Sequence, residues 1–550
     1  MSPLRGFCFS EDAVIYKEVA PTALLKKTRT RMRRSEKGAC TVLAVEYALG
    51  NCSSIGAIRA GSPTIDMAPV VMPKARALFR RAMESLARRQ KLEAARYLFQ
   101  AVKIQPVYFD ALYNLGLVLQ ELDQLSEAVA CYQQALRINP DFSQAWNNLG
   151  VAHHKARRSS QAVDCHRRAI ALEPGDWSYY NNLAYALRGM DRPAEAIHEI
   201  QTALQLDPSS RILKLNLGDA FREAGRIDES VAVYEDLLRA EPQLAEAHFG
   251  RAFSLLLGGN MVRGWEGYDW RWRLKDHLPP REFAQPAWQG GDIKGLRLFV
   301  YAEQGAGDCI QFARYLPELA RLGAKVILEC PSSLVRLLGT IQGLEQIIAK
   351  GDAIPAFDRS CALMSLARWF KTTLDSIPAS VPYLGSPGKT PELPRVAKAK
   401  PDDLKIGLVW AGNPTQQNDR HRSIPLEILQ PLLGRTGATF YSLQVHHGPA
   451  SGLHPLESRM VDLSPLIGDY FDTAALVGQL DLVISVDTSV AHLAGALGRP
   501  VWLLLPCAPD WRWLLKRADS PWYPTMRLFR QPQPGDWAAV VREVEGKLAG

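Results

Sequence analysis

One segment near the carboxyl end of the chain combines hydroxyl side chains with a histidine at helical spacing. It runs Asp487-Thr-Ser-Val-Ala-His492 and directly follows an apolar run that ends at Val486. This pattern predicts a strand ending at Val486 and a helix beginning near Thr488. The first turn of such a helix offers free backbone N–H groups, the positive end of the helix dipole, and the hydroxyls of Thr488 and Ser489. The segment is therefore predicted to bind an anion such as phosphate.

The histidine adds a proton carrier to this predicted anion site. His492 lies four residues after Thr488, so the two side chains share one face of the helix. Asp487 is expected to cap the helix, because a carboxylate aimed at a phosphate would be repelled. A Ser489–His492–Asp487 triad is excluded, because a catalytic triad brings its members together from separate elements.

A glycine-rich segment follows another apolar run. It reads Tyr301-Ala-Glu-Gln-Gly-Ala-Gly-Asp308, and its glycines permit a tight turn and a close approach of the backbone. Asp308 then opens a helix that is predicted to run from Cys309 to about Leu322. The pattern by itself favours Asp308 as the N-cap of that helix.

A third segment carries basic residues. Asn413 and then Arg420, His421 and Arg422 follow the apolar run Ile406–Trp410. Open α/β sheets bind ligands at the carboxyl ends of their strands. Arginines there could hold a diphosphate in fork geometry, and solvated loop charges are the alternative.

All three segments belong to a region in which strands and helices alternate from Leu296 onward. Short apolar runs predict buried parallel strands. A Pro/Lys-rich linker, Ser386–Pro401, divides the region into two small α/β domains, 277–395 and 396–550, flanking a cleft. The predicted strands are Leu298–Ala302, Lys325–Cys330, Gln346–Ala349, Ile406–Trp410, Thr439–Leu443, Leu482–Val486, Val501–Leu505 and Met526–Phe529.

The preceding third of the chain repeats itself. Five prolines lie 34 residues apart, a period typical of the tetratricopeptide helix pair, and six such units are predicted over residues 73–276. Stacked units form a solenoid with an extended surface suited to binding a protein or peptide. The prolines are Pro106, Pro140, Pro174, Pro208 and Pro242.

Four asparagines follow the same period. A side-chain amide can donate to and accept from a peptide backbone at once. The set is similar to an asparagine ladder that holds peptide in the protein O-GlcNAc transferases, although asparagine is also common at this position in such repeats. The four are Asn114, Asn148, Asn182 and Asn216.

An aromatic segment joins the repeats to the α/β region. Trp265, Tyr268, Trp270 and Trp272 could stack on a sugar or a base. Large rings also bury the most area per residue, so docking of the repeats onto the next domain is the favoured interpretation.

Composition narrows the class of protein. The net charge is +8 over 550 residues, about half of it in the first 70 residues, and the remainder of the chain is close to balanced, so charge does not favour nucleic-acid binding. Nine cysteines without a CxxC pair argue against a zinc ribbon or a disulfide framework, so a cytoplasmic location is expected. No apolar run predicts a transmembrane helix. Residues 1–72 fit no repeat; a disordered extension or an early start site is expected there.

Taken together, the three segments resemble the heptosyltransferase-like glycosyltransferases (glycosyltransferase family nine), which have the GT-B fold of two Rossmann-like domains. Gly307-Asp308 matches a Gly-Asp pair whose aspartate serves as the base in that family. The family's Asp-Thr-Gly-x-x-His-x-x-Ala-Ala phosphate motif is matched with two substitutions, Ser489 for glycine and Gly495 for alanine. The basic residue of its donor loop corresponds to Arg420 or Arg422, and Gln444 lies where the family holds the nucleotide.

The resemblance implies an inverting sugar transferase that uses a nucleotide-diphosphate sugar as co-substrate. Asp308 would accept the proton of the acceptor hydroxyl. The helix beginning near Thr488, with His492 and Arg420 or Arg422, would stabilise the leaving diphosphate. The sequence contains no Asp-x-Asp motif, so neither a metal nor a further cofactor is expected. The alternative is an interaction protein in which a degenerate transferase fold serves as scaffold.

Overall fold

The computed structural model describes residues 71–275, 281–385, 391–394, 402–414, 419–445 and 459–549. The predicted extension up to residue 70 lies outside the described residues, as does most of the predicted linker Ser386–Pro401. The described residues divide into two compact units, one over residues 71–210 and one from residue 211 to residue 549.

The first unit consists, over its described residues, of four antiparallel helix pairs. In each pair the second helix ends two residues before one of the periodic prolines, which cannot continue a helix. The helices are α1 Pro73–Ala87, α2 Lys91–Ile104, α3 Phe109–Glu121, α4 Leu125–Ile138, α5 Ser143–Lys155, α6 Ser159–Leu172, α7 Trp177–Arg188 and α8 Pro193–Leu206.

A glycine facing a ring explains how the two helices of a pair approach closely. A Cβ added at Gly116 of α3 would lie 2.6 Å from Cε1 of Tyr132 on α4. One repeat later, a Cβ added at Gly150 would lie 2.7 Å from Cε1 of His166. Real Cβ atoms do not approach carbon so closely, so the ring occupies the space that a side chain would need.

The second unit begins with two more helix pairs, which complete the six predicted repeats. These helices are α9 Arg211–Glu223, α10 Ile227–Ala240, α11 Ala245–Leu257 and α12 Met261–Tyr268. Tyr234 of α10 lies against two glycines. An added Cβ would come within 2.6 Å of its ring at Gly218 and within 2.5 Å at Gly250.

Two parallel sheets follow the repeats in this unit. The first has the order β3-β2-β1-β4 and the second β10-β9-β8-β5-β6-β7, with all pairs parallel. The strands are β1 Arg297–Tyr301, β2 Lys325–Cys330, β3 Leu344–Ala349, β4 Arg359–Ala362, β5 Leu404–Val409, β6 Ala438–Ser442, β7 Val461–Asp462, β8 Leu482–Val486, β9 Val501–Leu505 and β10 Met526–Arg530.

All eight predicted strands are therefore confirmed within a few residues. Two strands were missed because their runs are short and partly polar: β4 reads Arg-Ser-Cys-Ala, and β7 has two residues. We call the part built on β1–β4 the first lobe and the part built on β5–β10 the second lobe.

Short helices connect the strands. Because every strand pair is parallel, each connection must return to the same end of its sheet. The helices are α13 Ala306–Phe312, α14 Leu316–Arg321, α15 Val335–Leu338, α16 Leu366–Trp369, α17 Asp419–Arg422, α18 Gln430–Leu433, α19 Tyr470–Val477, α20 Ser489–Ala496 and α21 Trp537–Ala549.

The last repeat packs against both lobes through its aromatic segment. Trp265 of α12 is 1% exposed, and its ring meets Phe312 of the first lobe edge-on at a centroid distance of 5.9 Å. It meets Trp511 of the second lobe in the same way at 5.2 Å. The expected docking role of this segment is thus confirmed. It also explains why the compact unit begins at Arg211 rather than at the predicted domain boundary near residue 277.

Candidate functional site

The candidate site lies at the carboxyl ends of strands from both lobes. The loop and helix after β1 carry Asp308, and those after β8 carry the Asp487–His492 segment. The loop after β5 carries Arg422, and the loop after β9 carries Asp510 and Arg512. In parallel sheets these ends share an edge, where ligands are typically bound.

Asp308 occupies the third position of α13. Its Oδ2 accepts a hydrogen bond from the backbone N–H of Gly305 at 3.0 Å, and its Oδ1 accepts one from Nη2 of Arg512. The helix therefore starts at Ala306 with Gly305 as its N-cap. The prediction that Asp308 is the N-cap is wrong in position, because its carboxylate binds back to the cap residue. The expected helix to about Leu322 is interrupted by a 3-10 turn, Ala313–Tyr315, and resumes as α14, which ends at Arg321.

The Arg512 guanidinium connects the two lobes. Its Nε donates to Oε1 of Gln311 in the first lobe at 2.6 Å, and its Nη1 donates to Oδ1 of Asp510 at 2.8 Å. The guanidinium also lies over the Trp511 ring, 4.3 Å from its centroid. Sequence analysis missed Asp510 and Arg512. Their position just after the predicted strand Val501–Leu505, at the ligand-binding edge of the sheet, would have identified them as candidate site residues.

Helix α20 begins one residue later than predicted. Thr488 is its N-cap, and no side chain bonds to the first turn, so the expected capping by Asp487 is not observed. The Thr488 hydroxyl lies 3.1 Å from Oγ of Ser485, and the Ser489 hydroxyl lies 2.8 Å from the Tyr470 hydroxyl. Both hydroxyls thus have protein partners. The N–H groups of Ala491 and His492 donate to the Thr488 carbonyl at 3.1 and 3.4 Å, so those of Ser489 and Val490 are the backbone donors that the helix itself leaves for an anion.

His492 is 5% exposed and is held by aromatic residues. Its Nδ1 shares a hydrogen bond with the Tyr523 hydroxyl at 2.9 Å, and its ring stacks on Trp513 with centroids 5.3 Å apart. Burial, and then the nearby Arg512, lower the pKa of His492 well below its ordinary value. The ring is therefore neutral at pH 7, and it can offer a leaving group a hydrogen bond but not a positive charge.

The structure distinguishes between the two candidate arginines of the donor loop. Nη1 of Arg422 donates to the backbone carbonyl of Asp487 at 3.1 Å, which places this guanidinium beside α20. Arg420 is exposed, and its Nε donates to Nε2 of the adjacent His421 at 2.8 Å. A Cβ added at Gly412 would lie 2.7 Å from Nη2 of Arg422, so glycine is needed for the loop to pass this close.

The two remaining donor-site candidates lie at the same edge of the second sheet. Gln444 is buried, and its Oε1 accepts from the backbone N–H of Ala411 at 3.1 Å, which ties the ends of β6 and β5 together. Asn413 is half-buried in the loop after β5. Gln444 therefore has a structural hydrogen bond at the place where a nucleotide contact was predicted.

The first turns of α13 and α20 lie against each other. A Cβ added at Gly307 would be 3.0 Å from Cδ2 of His492 and 3.5 Å from Cα of Ser489. Glycine at this position allows the first lobe to bring Asp308 next to the start of α20. The two segments that sequence analysis selected independently are thus neighbours in space.

The site mixes charges of both signs. Burial raises the pKa of Asp308, and the Arg512 guanidinium partly offsets this effect. Burial and the nearby Asp510 raise the pKa of Asp487, and Arg422 opposes the increase. Arg422 also pairs with Asp419, its Nε 3.3 Å from Oδ1. Four carboxylates and two guanidiniums therefore meet at one edge, and each guanidinium already has a carboxylate partner there.

The periodic asparagines are mostly inside the repeats. Asn148 and Asn182 are buried, and their Nδ2 atoms donate to the Tyr113 hydroxyl at 2.9 Å and to Oδ1 of Asn147 at 3.0 Å. Each bond reaches back 35 residues, so these two amides connect neighbouring repeats. This corrects the prediction that they face a bound peptide. Asn216 is also buried, and Asn114 is half-buried, its Nδ2 donating 2.8 Å to the carbonyl of Asp110.

Among the described residues, no group of three or more His, Cys, Asp or Glu side chains is arranged to hold a metal ion. No helix in the same part of the chain is long and apolar enough to cross a membrane.

Comparisons with known proteins identify the helical region. Tetratricopeptide repeat families match residues 109–142, 131–164, 155–211, 181–245 and 215–263. Protein FlbA of Caulobacter vibrioides is 29% identical over 341 residues, which are 56% of this chain and 55% of FlbA. The chain thus spans about half the length of the curated relative that it matches.

Solved structures that are similar to part of this chain include those of three proteins. MamA from Desulfovibrio magneticus is 22% identical, and the match covers 32% of this chain and 99% of the MamA chain, with a TM-score of 0.31. A tetratricopeptide repeat protein from Parabacteroides merdae is 16% identical, and the match covers 38% of this chain and 82% of that protein, with a TM-score of 0.36. YrrB, described as a TPR protein with an unusual peptide-binding site, is 18% identical. The match covers 33% of this chain and 93% of YrrB, with a TM-score of 0.28. On the strength of the family matches, the chain contains tetratricopeptide repeats, which are protein-interaction modules, followed by two parallel-sheet lobes.

Proposed function

We propose that the two lobes transfer a sugar from a nucleotide-diphosphate donor to an acceptor hydroxyl, with inversion and without a metal ion. The observation that carries this proposal is the meeting of Asp308 with the first turn of α20. A Cβ on Gly307, the residue before Asp308, would lie 3.5 Å from Cα of Ser489. A base and an anion site must be this close if one sugar is to touch both.

The diphosphate would lie at the start of α20. The free N–H groups of the first helical turn and the positive end of the dipole favour an anion there. Arg422, bonded to the Asp487 carbonyl, and Arg512, bonded to Asp308, would stabilise the negative charge that develops on the leaving group. Neutral His492 would contribute a hydrogen bond.

Asp308 would act as the general base. The acceptor O–H proton moves to the Asp308 carboxylate, and the acceptor oxygen forms a bond to the anomeric carbon of the sugar. The bond between that carbon and the diphosphate oxygen breaks, and the diphosphate leaves with the electron pair. Attack opposite the leaving group inverts the anomeric centre, through an oxocarbenium-like state. A protein or peptide held by the repeats is the proposed acceptor.

Donor binding is tested by thermal unfolding of the full chain with a panel of UDP, GDP, ADP, CMP and dTDP sugars. A ligand at one hundred times its Kd stabilises the folded state by about 2.7 kcal/mol. We expect stabilisation by one diphosphate donor. No stabilisation across the panel would refute the proposal.

The role of Asp308 is tested by Asp308→Asn. We expect this variant to keep the donor-induced stabilisation and to lose transfer and donor hydrolysis by a factor of about 100 or more. Asp352→Asn is the matched control. Oδ2 of Asp352 also accepts from a backbone N–H three residues earlier, Ala349, at 3.0 Å, but it lies at the end of β3 outside the site. Full activity of Asp308→Asn would show that the base is assigned wrongly.

A second candidate function is a non-catalytic interaction protein. It is favoured by the hydrogen bonds that occupy both oxygens of the Asp308 carboxylate. In this case the repeats bind a partner and the lobes serve as scaffold. A protein that binds no nucleotide sugar but retains a partner through residues 71–275 would support it.

A further inference from the structure

The two oxygens of Asp308 are held in different ways. Oδ2 is fixed by the backbone N–H of Gly305, which belongs to the same turn. Oδ1 is held by the Arg512 side chain, 204 residues further along the chain and in the other lobe. The direction in which the carboxylate points therefore depends on Arg512.

The Arg512 guanidinium is held in place without help from Asp308. Its side chain is 9% exposed and donates to Gln311 from one lobe and to Asp510 from the other. Trp511 supports one face of the plane. A guanidinium with three fixed contacts presents its remaining N–H groups in a defined direction, as a lysine ammonium would not.

Arg512 and Asp510 are the charges that act most strongly on Asp308 at this edge, where Asp487 and Arg422 also lie. Tyr268 from α12 and Cys309 from α13 both have pKa values raised by burial, so both stay neutral across the accessible pH range. The pKa of His492 on α20 is lowered, so its ring is neutral as well. Among the described residues that face Asp308, Arg512 and Asp510 are therefore the charged groups that set its protonation.

We propose that Arg512 is the positioning residue for Asp308: it fixes the orientation of the carboxylate and keeps it ionised, and Asp510 sets the strength of this effect. The inference rests on the proposed function, in which Asp308 must be a carboxylate to accept a proton. It predicts opposite effects for two neighbouring charge changes.

Removing the positive charge raises the pKa of Asp308. In Arg512→Gln, the carboxyl loses an opposite charge in direct contact and stays beside Asp510, so its pKa rises by about 1–3 units. In Asp510→Asn, a like charge near Asp308 disappears, and Asp308 no longer competes with a second carboxylate for Arg512. The pKa of Asp308 therefore falls. Arg512→Lys keeps the charge without the fork geometry, and we expect it to restore part of the difference.

The test is a pH titration of the full chain labelled with carboxyl-¹³C aspartate and followed by NMR. The Asp308 resonance is identified by its loss in Asp308→Asn. We expect its midpoint to move up in Arg512→Gln and down in Asp510→Asn. A purely structural link between the lobes predicts no shift, or shifts of the same sign, and either outcome refutes the inference. Circular dichroism and thermal unfolding check that each variant folds. If Arg512→Gln does not fold, Arg512→Lys and Asp510→Asn still show in which direction the Asp308 midpoint moves.

This readout separates the inference from the proposed function. If no member of the nucleotide-sugar panel binds, the transferase fails, and the Asp308 titration still decides whether Arg512 controls the carboxyl. If a donor is hydrolysed or transferred, the acid limb of kcat/KM against pH should shift with the NMR midpoint in each variant. An unmoved acid limb alongside a shifted NMR midpoint would show that Asp308 is not the base.

Discussion

His166 predicts an acid sensitivity that the tyrosines at the equivalent position of other repeats cannot cause. Its ring is 1% exposed and fills the space beside Gly150, and its Nδ1 shares a hydrogen bond with Oδ1 of Asn147 at 3.0 Å. The corresponding residues 34 positions before and 68 positions after it are Tyr132 and Tyr234. His166→Tyr therefore installs the ring that other repeats already place against a glycine.

The magnitude follows from the pKa of the buried ring. Burial, and then the nearby His154 and His153, lower the pKa of His166 to about 3. An unfolded histidine has a pKa of about 6.5. Below that pH the unfolded chain binds a proton that the folded chain excludes, so stability falls as pH falls from about 6.5 toward 3. At pH 5 the loss from this residue is about 2 kcal/mol, at about 1.4 kcal/mol for each pH unit.

The assay is urea unfolding of the full chain at pH 7 and pH 5. We expect the free energy of unfolding of wild type to fall by about 2 kcal/mol more than that of His166→Tyr over this interval. Comparing differences between the two pH values cancels the cost of fitting the larger ring. The control is His198→Gln, because His198 is exposed on α8 and should leave the pH dependence unchanged.

Equal pH dependence in wild type and His166→Tyr would refute the reasoning. It would mean that the folded ring takes up its proton as easily as the unfolded one. In that case His166 would be solvated or paired with a carboxylate, contrary to its burial beside Gly150.

Two further predictions concern packing. Gly116→Ala puts a Cβ 2.6 Å from the Tyr132 ring, so it should destabilise the first unit by about 1–3 kcal/mol, measured as a lower urea midpoint. Unchanged stability would show that the two helices can separate freely. Trp265→Ala removes a ring that touches both lobes and should cost about 3–5 kcal/mol by thermal unfolding, whereas the partly exposed Trp270→Ala should cost much less. Equal losses for the two tryptophans would contradict the docking assignment.

The repeats were readable from the sequence because their packing is local. A period of 34 residues fixes which residues face each other across a helix pair, as with Gly116 and Tyr132. The buried parallel strands were equally predictable, since each is an apolar run bounded by loops. By contrast, the position of the periodic asparagines was misjudged. Periodicity shows that residues are equivalent, but it does not show whether the shared face is covered by the next repeat, as at Asn148 and Asn182.

The sequence predicted the separate segments of the candidate site but not the contacts between them. The types and spacing of Asp308, Thr488 and His492 were sufficient to select both segments, because a helix start after a strand has the same chemistry in any chain. That the two segments meet was decided by tertiary structure, through the glycine at position 307. The charge of His492 was likewise undecided until its burial was known, because desolvation, and not residue type, sets which form of a histidine is stable.

The sequence by itself thus determined six helix pairs, two sets of parallel strands and the segments able to bind an anion, since these depend on contacts between residues close in the chain. Tertiary structure alone decided that Arg512 holds Asp308 and that Arg422, and not Arg420, lies beside α20. The physical reason is that an ion pair spanning 204 residues leaves no periodic or local pattern. Its strength comes from the folded surroundings, which remove water and fix both partners.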